Sequence, residues 1–124
     1  MTQRILLIED YEPLRRALAK LLSQAGYEVK EAWNGQVAMQ EMLRQPADLV
    51  ITDMIMPEMD GAEVISSLRR IYPAVKIIAI SGGGISSAET HLAIARALGA
   101  HRVLSKPLDS QNLLEVVRVL VGKD

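Results

Sequence analysis

The sequence predicts an α/β fold, a five-stranded parallel sheet with helices on both faces. Three observations predict it. Short apolar runs recur along the chain, each is followed by a stretch of helical period, and the three most apolar runs lack the polar alternation of a half-exposed strand.

The first run is "RILLI" (4–8), after which Leu14, Ala17, Leu18, Leu21 and Leu22 follow helical spacing until Gly26 ends the helix. "YEVKEA" (27–32) is a second strand of mixed character, and Met39, Met42 and Leu43 mark the helix behind it. "LVIT" (49–52) and "KIIAI" (76–80) are apolar throughout and are separated by a helix carrying Val64, Ile65, Leu68, Ile71 and Tyr72. A weakly amphipathic, Ala-rich helix is expected from about Ser87 to Leu98, before the short strand "HRVLS" (101–105). Leu113, Val116, Val117, Leu120 and Val121 form the clearest helical stripe, flanked by Leu114 and Val119, with Asp109 or Ser110 as N-cap. Apolar strands belong in the middle and mixed ones at the edges. The result is a flavodoxin-like, doubly wound sheet of order 2-1-3-4-5 with five helices.

With 124 residues, 49% of them hydrophobic, the chain suits one domain spanning 1–124. A formal net charge of -1, with Lys and Arg scattered, offers no field for nucleic acid or an acidic membrane. Cysteine is absent, which excludes disulfides and thiolate metal sites and suits a reducing cytoplasm. No apolar run approaches the roughly 18 residues needed to span a bilayer, and "MTQRILLIEDYE" has too short an apolar core for a signal peptide. A cytoplasmic protein is expected, without direct nucleic-acid or membrane contact.

Ligands of an open α/β sheet bind beyond the carboxyl ends of its strands. Here those ends carry Glu9 and Asp10, Asp53, Ser81, and Lys106 with Pro107. Three carboxylates brought together repel, and Lys106 matches only one of them. A divalent ion completes the balance, and an all-oxygen set with room for water favours Mg²⁺ or Mn²⁺. Such a site also suits phosphate, and a carboxylate can itself accept a phosphoryl group. That chemistry explains why a core strand ends on Asp53.

The acidic pair Glu9-Asp10, the "DMIMPEMDG" segment (53–61), Ser81 and "GAHRVLSKP" (99–107) together resemble the receiver domain of two-component response regulators, over essentially the whole chain. The resemblance implies that Asp53 is the phosphoacceptor and that a sensor histidine kinase or phosphotransfer protein is the donor. Glu9, Asp10, Asp53 and the backbone carbonyl of Ile55 would hold Mg²⁺. Lys106 would pair with Asp53 at rest and with the phosphoryl group afterwards, and Ser81 would swing its hydroxyl onto a phosphoryl oxygen. The Lys106-Pro107 bond is expected to be cis.

The domain would then be a signalling switch and not a metabolic enzyme, although it would assist its own phosphorylation and dephosphorylation. An output domain or protein would read it, and a homodimer through the fourth helix, fifth strand and fifth helix is a further expectation. The end at "VGKD" is compatible with a single-domain regulator and with a piece of a longer one. Two positions depart from the family pattern. Val103 stands where many members carry Tyr or Phe, which removes the usual aromatic readout. "SGGG" (81–84) replaces the more usual Ala after the hydroxyl residue, and three successive glycines predict a mobile loop at 82–84. Ile55 and Gly83 sit where the family tunes hydrolysis, and an apolar Ile55 predicts slow self-dephosphorylation.

Other classes fit less well. A haloacid-dehalogenase-type phosphohydrolase needs a second Asp two residues after the nucleophile, where Ile55 stands. A flavin mononucleotide carrier would meet repelling acids and few aromatics, and a degenerate receiver would lack some of the five site residues that are all present here. "SGGG" lacks the Gly-Lys-Ser/Thr of a P-loop. Arg15, Arg16 and Lys20 read as a solvated helix face, Trp33 as partly buried, and His91 and His101 as surface or helix-capping residues.

Overall fold

The computed structural model describes residues 2–54, 59–82 and 93–122. Strands and helices alternate: β1 (Arg4–Ile8), α1 (Glu12–Gln24), β2 (Glu28–Ala32), α2 (Gly35–Arg44), β3 (Leu49–Asp53), α3 (Gly61–Ile71), β4 (Lys76–Ser81), α4 (residues 93–98), β5 (Arg102–Ser105) and α5 (Ser110–Val121). All strand pairs are parallel, in the order β2-β1-β3-β4-β5. The fold class and the strand order are those expected. Expectations that rest on Ile55, Gly83, Gly84 and His91 lie outside the described residues, as does the start of the Ala-rich helix.

The three central strands bury side chains on both faces and thereby divide the interior in two. Leu6, Ile8, Val50, Ile77 and Ala79 meet α2, α3 and Ala95 of α4 on one side. Ile5, Leu7, Leu49, Ile51, Ile78 and Ile80 meet Leu18 and Leu22 of α1 and Leu113 and Val117 of α5 on the other. β5 contributes to both layers, with Val103 packed against the first and Leu104 against the second.

Local chemistry starts and stops the helices. Asn34, Asp60 and Asp109 each accept backbone N–H groups at the N-termini of α2, α3 and α5. After the end of α1 the chain turns through Gly26 at φ 104°, a conformation that favours glycine.

Several exposures differ from the sequence reading. Ala19 and not Ala17 is buried on α1. Leu43 is 77% exposed, and Ile71, Val119 and Trp33 also face solvent. Trp33 follows β2 directly, but the neighbouring Asn34 turns inward to cap α2 and leaves the indole outside.

His101 joins a strand and not a helix end. Its backbone N–H donates to the Ile77 carbonyl at 2.8 Å, and its Nδ1 accepts the Ile77 N–H at 3.1 Å. Burial, and then the charges of Arg69, Lys76 and Arg102, hold its pKa below the usual 6.5. Stability from this corner is therefore complete above the unfolded value of 6.5 and is lost as pH falls through the lower folded value. As pH falls from about 8 to about 5, the melting temperature of wild type should therefore drop relative to that of His101→Asn, whose amide oxygen accepts the same N–H without titrating.

Candidate functional site

The parallel sheet delivers its strand ends to one edge, and the five expected side chains lie there. Asp53 is the last residue of β3 and is buried, and Glu9, just past β1, is 2% exposed. Asp10 beside it faces solvent. Carboxylate oxygens of Glu9, Asp10 and Asp53 all lie within 4.8 Å of one another. Lys106 Nζ reaches between two of them, 3.0 Å from Asp53 Oδ2 and 3.3 Å from Glu9 Oε1.

Backbone contacts place that lysine. The Lys106 N–H donates to the Ser81 carbonyl at 2.9 Å, and the Lys106-Pro107 bond is cis, as expected. Its alkyl stem runs over Gly82, where an added Cβ would sit 2.6 Å from Lys106 Cβ and Cδ. The glycine therefore leaves the room the lysine uses to turn inward. Ser81 is fully buried, and its Oγ has no hydrogen-bond partner among the described residues. An orphaned buried hydroxyl beside a cluster of charges calls for an incoming acceptor.

Electrostatics set the state of the cluster. Burial, reinforced by the Asp53 charge, raises the Glu9 pKa from 4.5 to about 7, even though the Tyr11 N–H and Lys106 favour its ionised form. Burial works against the Lys106 ammonium, but the hydrogen bond and charge of Asp53, with Glu9 behind it, raise its pKa above 10.5. Three carboxylates with one committed ammonium form an oxygen donor set suited to a hard divalent cation. The described residues thus fit Mg²⁺ or Mn²⁺, with Glu9, Asp10 and Asp53 as the side chains that would hold it.

Two residues have supporting roles that the sequence reading did not assign: Gly61, noted there only as the end of the 53–61 segment, and Arg15, read there as part of a solvated helix face. Gly61 opens α3 directly against the site: a Cβ there would lie 2.4 Å from the Asp53 carbonyl oxygen and 2.5 Å from Met54 Cα. A glycine at the first turn of a helix that follows an acid-tipped strand was the available signal. Arg15 is the other. It donates to the Glu9 carbonyl and pairs with Glu31 across to β2, a reach no helical periodicity reports.

A doubly wound sheet with an acid triad and a lysine at its carboxyl edge defines a class of α/β domains whose site is built from strand ends. The response regulator receiver domain model matches residues 5–118, and the chain belongs to that family. It is 37% identical over 121 residues to the response regulator receiver protein CpdR of Brucella abortus (strain 2308), covering 97% of this chain and 98% of that protein. Sensor kinase CckA of the same strain contains a 32% identical stretch that spans 96% of this chain but only 12% of the kinase. Among solved structures, a response regulator receiver domain protein from Clostridium thermocellum superposes with a TM-score of 0.89 at 26% identity, covering 97% of this chain and 94% of that one. No helix among the described residues is long and apolar enough to cross a membrane.

Two outcomes follow from this geometry. Because the Glu9 pKa is raised on folding, the stability it supplies is complete below pH 4.5 and is lost as pH rises through about 7. In chelator at about pH 8, Glu9→Gln should therefore melt above wild type, by about 1–3 kcal/mol in denaturant titrations, and the difference should vanish in acid. Gly61→Ala should lose about 1–3 kcal/mol in the same titrations, since the clash is with backbone atoms that cannot rotate away.

Proposed function

We propose that the chain is a phosphorylatable switch in which Asp53 accepts a phosphoryl group from the phosphohistidine of a sensor kinase or phosphotransfer protein. The observation that carries this reading is the buried Asp53 carboxylate, held 3.0 Å from Lys106 Nζ and within 4.8 Å of the Glu9 and Asp10 oxygens. One Asp53 oxygen attacks phosphorus, the P–N bond to the imidazole breaks, and its electron pair leaves on nitrogen. Mg²⁺ held by Glu9, Asp10 and Asp53 would supply positive charge to the phosphoryl oxygens, and the Ile55 carbonyl, outside the described residues, is its expected fourth protein ligand.

The chain's own groups do the rest. Lys106, with its pKa raised, stays protonated at neutral pH and transfers its hydrogen bond from the carboxylate to a phosphoryl oxygen. The Ser81 hydroxyl donates to a second one. An open groove of about 570 Å³ between α1 and the turn after β5, bordered by Leu14, Leu21, Pro107 and Lys106, gives a donor protein a place to rest beside the site.

The product stays on the protein, so the domain acts as a switch and not as a metabolic enzyme. Phosphorylation biases two conformations by the difference in how Asp53 and its phosphorylated form engage Ser81 and Lys106. An output protein or domain in the cytoplasm reads that bias, and a second copy of the chain docking through α4, β5 and α5 is one form of it.

Intact mass after incubation with Mg²⁺ and acetyl phosphate tests the chemistry. Wild type should gain one phosphoryl group, whereas Asp53→Asn, and wild type in chelator, should gain none. An unmodified wild type, under conditions where another receiver domain is labelled, would overturn the reading.

A further inference from the structure

Arg15 and Arg16 are neighbours on α1 with opposite fates. The Arg16 side chain is 67% exposed and pairs along the helix with Glu12, whereas that of Arg15 is 11% exposed. Arg15 Nε donates to Glu31 Oε1 at 3.0 Å, and its Nη1 donates to the main-chain carbonyl of Glu9 at 3.2 Å. One planar guanidinium thus joins the first turn of α1, the turn after β1, and β2.

We propose that Arg15 is a positioning residue for cation binding: braced by Glu31, it fixes the Glu9 main chain and so sets where the Glu9 and Asp10 carboxylates stand relative to Asp53. The inference rests on the receiver reading and deepens it. Besides Lys106 at 3.3 Å from Glu9 Oε1, two other hydrogen bonds hold this turn among the described residues. The Glu9 N–H donates to the Ala32 carbonyl at 3.1 Å, and the Tyr11 N–H donates to Glu9 Oε2 at 3.0 Å. The second occupies a carboxylate oxygen that a cation would use. Arg15 instead grips the backbone and occupies no carboxylate oxygen of either acid. Its charge is balanced by Glu31, so the pair contributes geometry with little net field on the pocket.

That balance dictates the experiment. Removing Arg15 alone would make the pocket more negative and hide a loss of geometry, so both charges must go together. In the full chain, Arg15→Met combined with Glu31→Gln should bind Mg²⁺ about 10-fold more weakly in calorimetric titration with MgCl₂ alone. Phosphorylation of this variant at saturating Mg²⁺ should stay within about two-fold of wild type, a shift in the metal requirement and not in the chemical step. The charge-neutral control, Arg16→Gln with Glu12→Gln, should bind Mg²⁺ as wild type does. Should the double variant fold poorly, Arg15→Lys keeps the charge but cannot reach both acceptors, and its affinity should fall in the same direction. Variants that melt lower yet bind Mg²⁺ as tightly as wild type would overturn the inference and leave Arg15 a brace of the fold. A wild type that takes up no Mg²⁺ would overturn the parent reading as well, so the two failures are distinguishable.

Discussion

Everything at the carboxyl edge of the sheet depends on one imbalance among the described residues: Glu9, Asp10 and Asp53 cluster around a single ammonium, that of Lys106, which pairs with Glu9 and Asp53. Like charges held this close relax by taking up a proton or by recruiting a cation. The raised pKa of Glu9, driven first by its burial and then by the Asp53 charge, is the first response, and the oxygen-only donor set makes the second available. The rest of the architecture keeps the imbalance in place. Parallel strands point their ends the same way, both faces of the sheet are covered, and glycines at 61 and 82 let a helix and a lysine stem approach more closely than any side chain would permit.

Much of this was legible in the sequence because the governing patterns are local. Apolar runs such as "LVIT" announce a strand buried on both faces, and the alternation of "YEVKEA" announces an edge, so burial separated central strands from edges and the flavodoxin-like order supplied the rest. The site was legible for the same reason: in a doubly wound sheet, the residue after a strand is already placed in space. Knowing where the strands ended was enough to bring Glu9, Asp53, Ser81 and Lys106 together.

What escaped the sequence depends on contacts made across elements. Arg15 lies in a run of basic residues that reads as a solvated face, and its burial follows only from Glu31 standing opposite it on β2. His101 lacks a nearby partner in sequence, yet it completes the backbone bonding of Ile77 on the neighbouring strand. Trp33 faces outward because the adjacent Asn34 is occupied in capping α2. Leu43 and Ile71 satisfy a helical spacing rule, but the adjacent Met42 and Tyr72 are the ones that pack into the core, which leaves Leu43 and Ile71 on outer faces.

Even the shortest strand reaches both interiors. β5 has four residues, and two of them plant a foot in separate interiors: Val103 in the layer beneath α3 and α4, Leu104 in the layer beneath α1 and α5. The central strands are each paired on two sides. β5 pairs with β4 alone and leads directly into Lys106. The lysine that pairs with Asp53 is therefore tethered, through a single strand, to both interiors of the molecule.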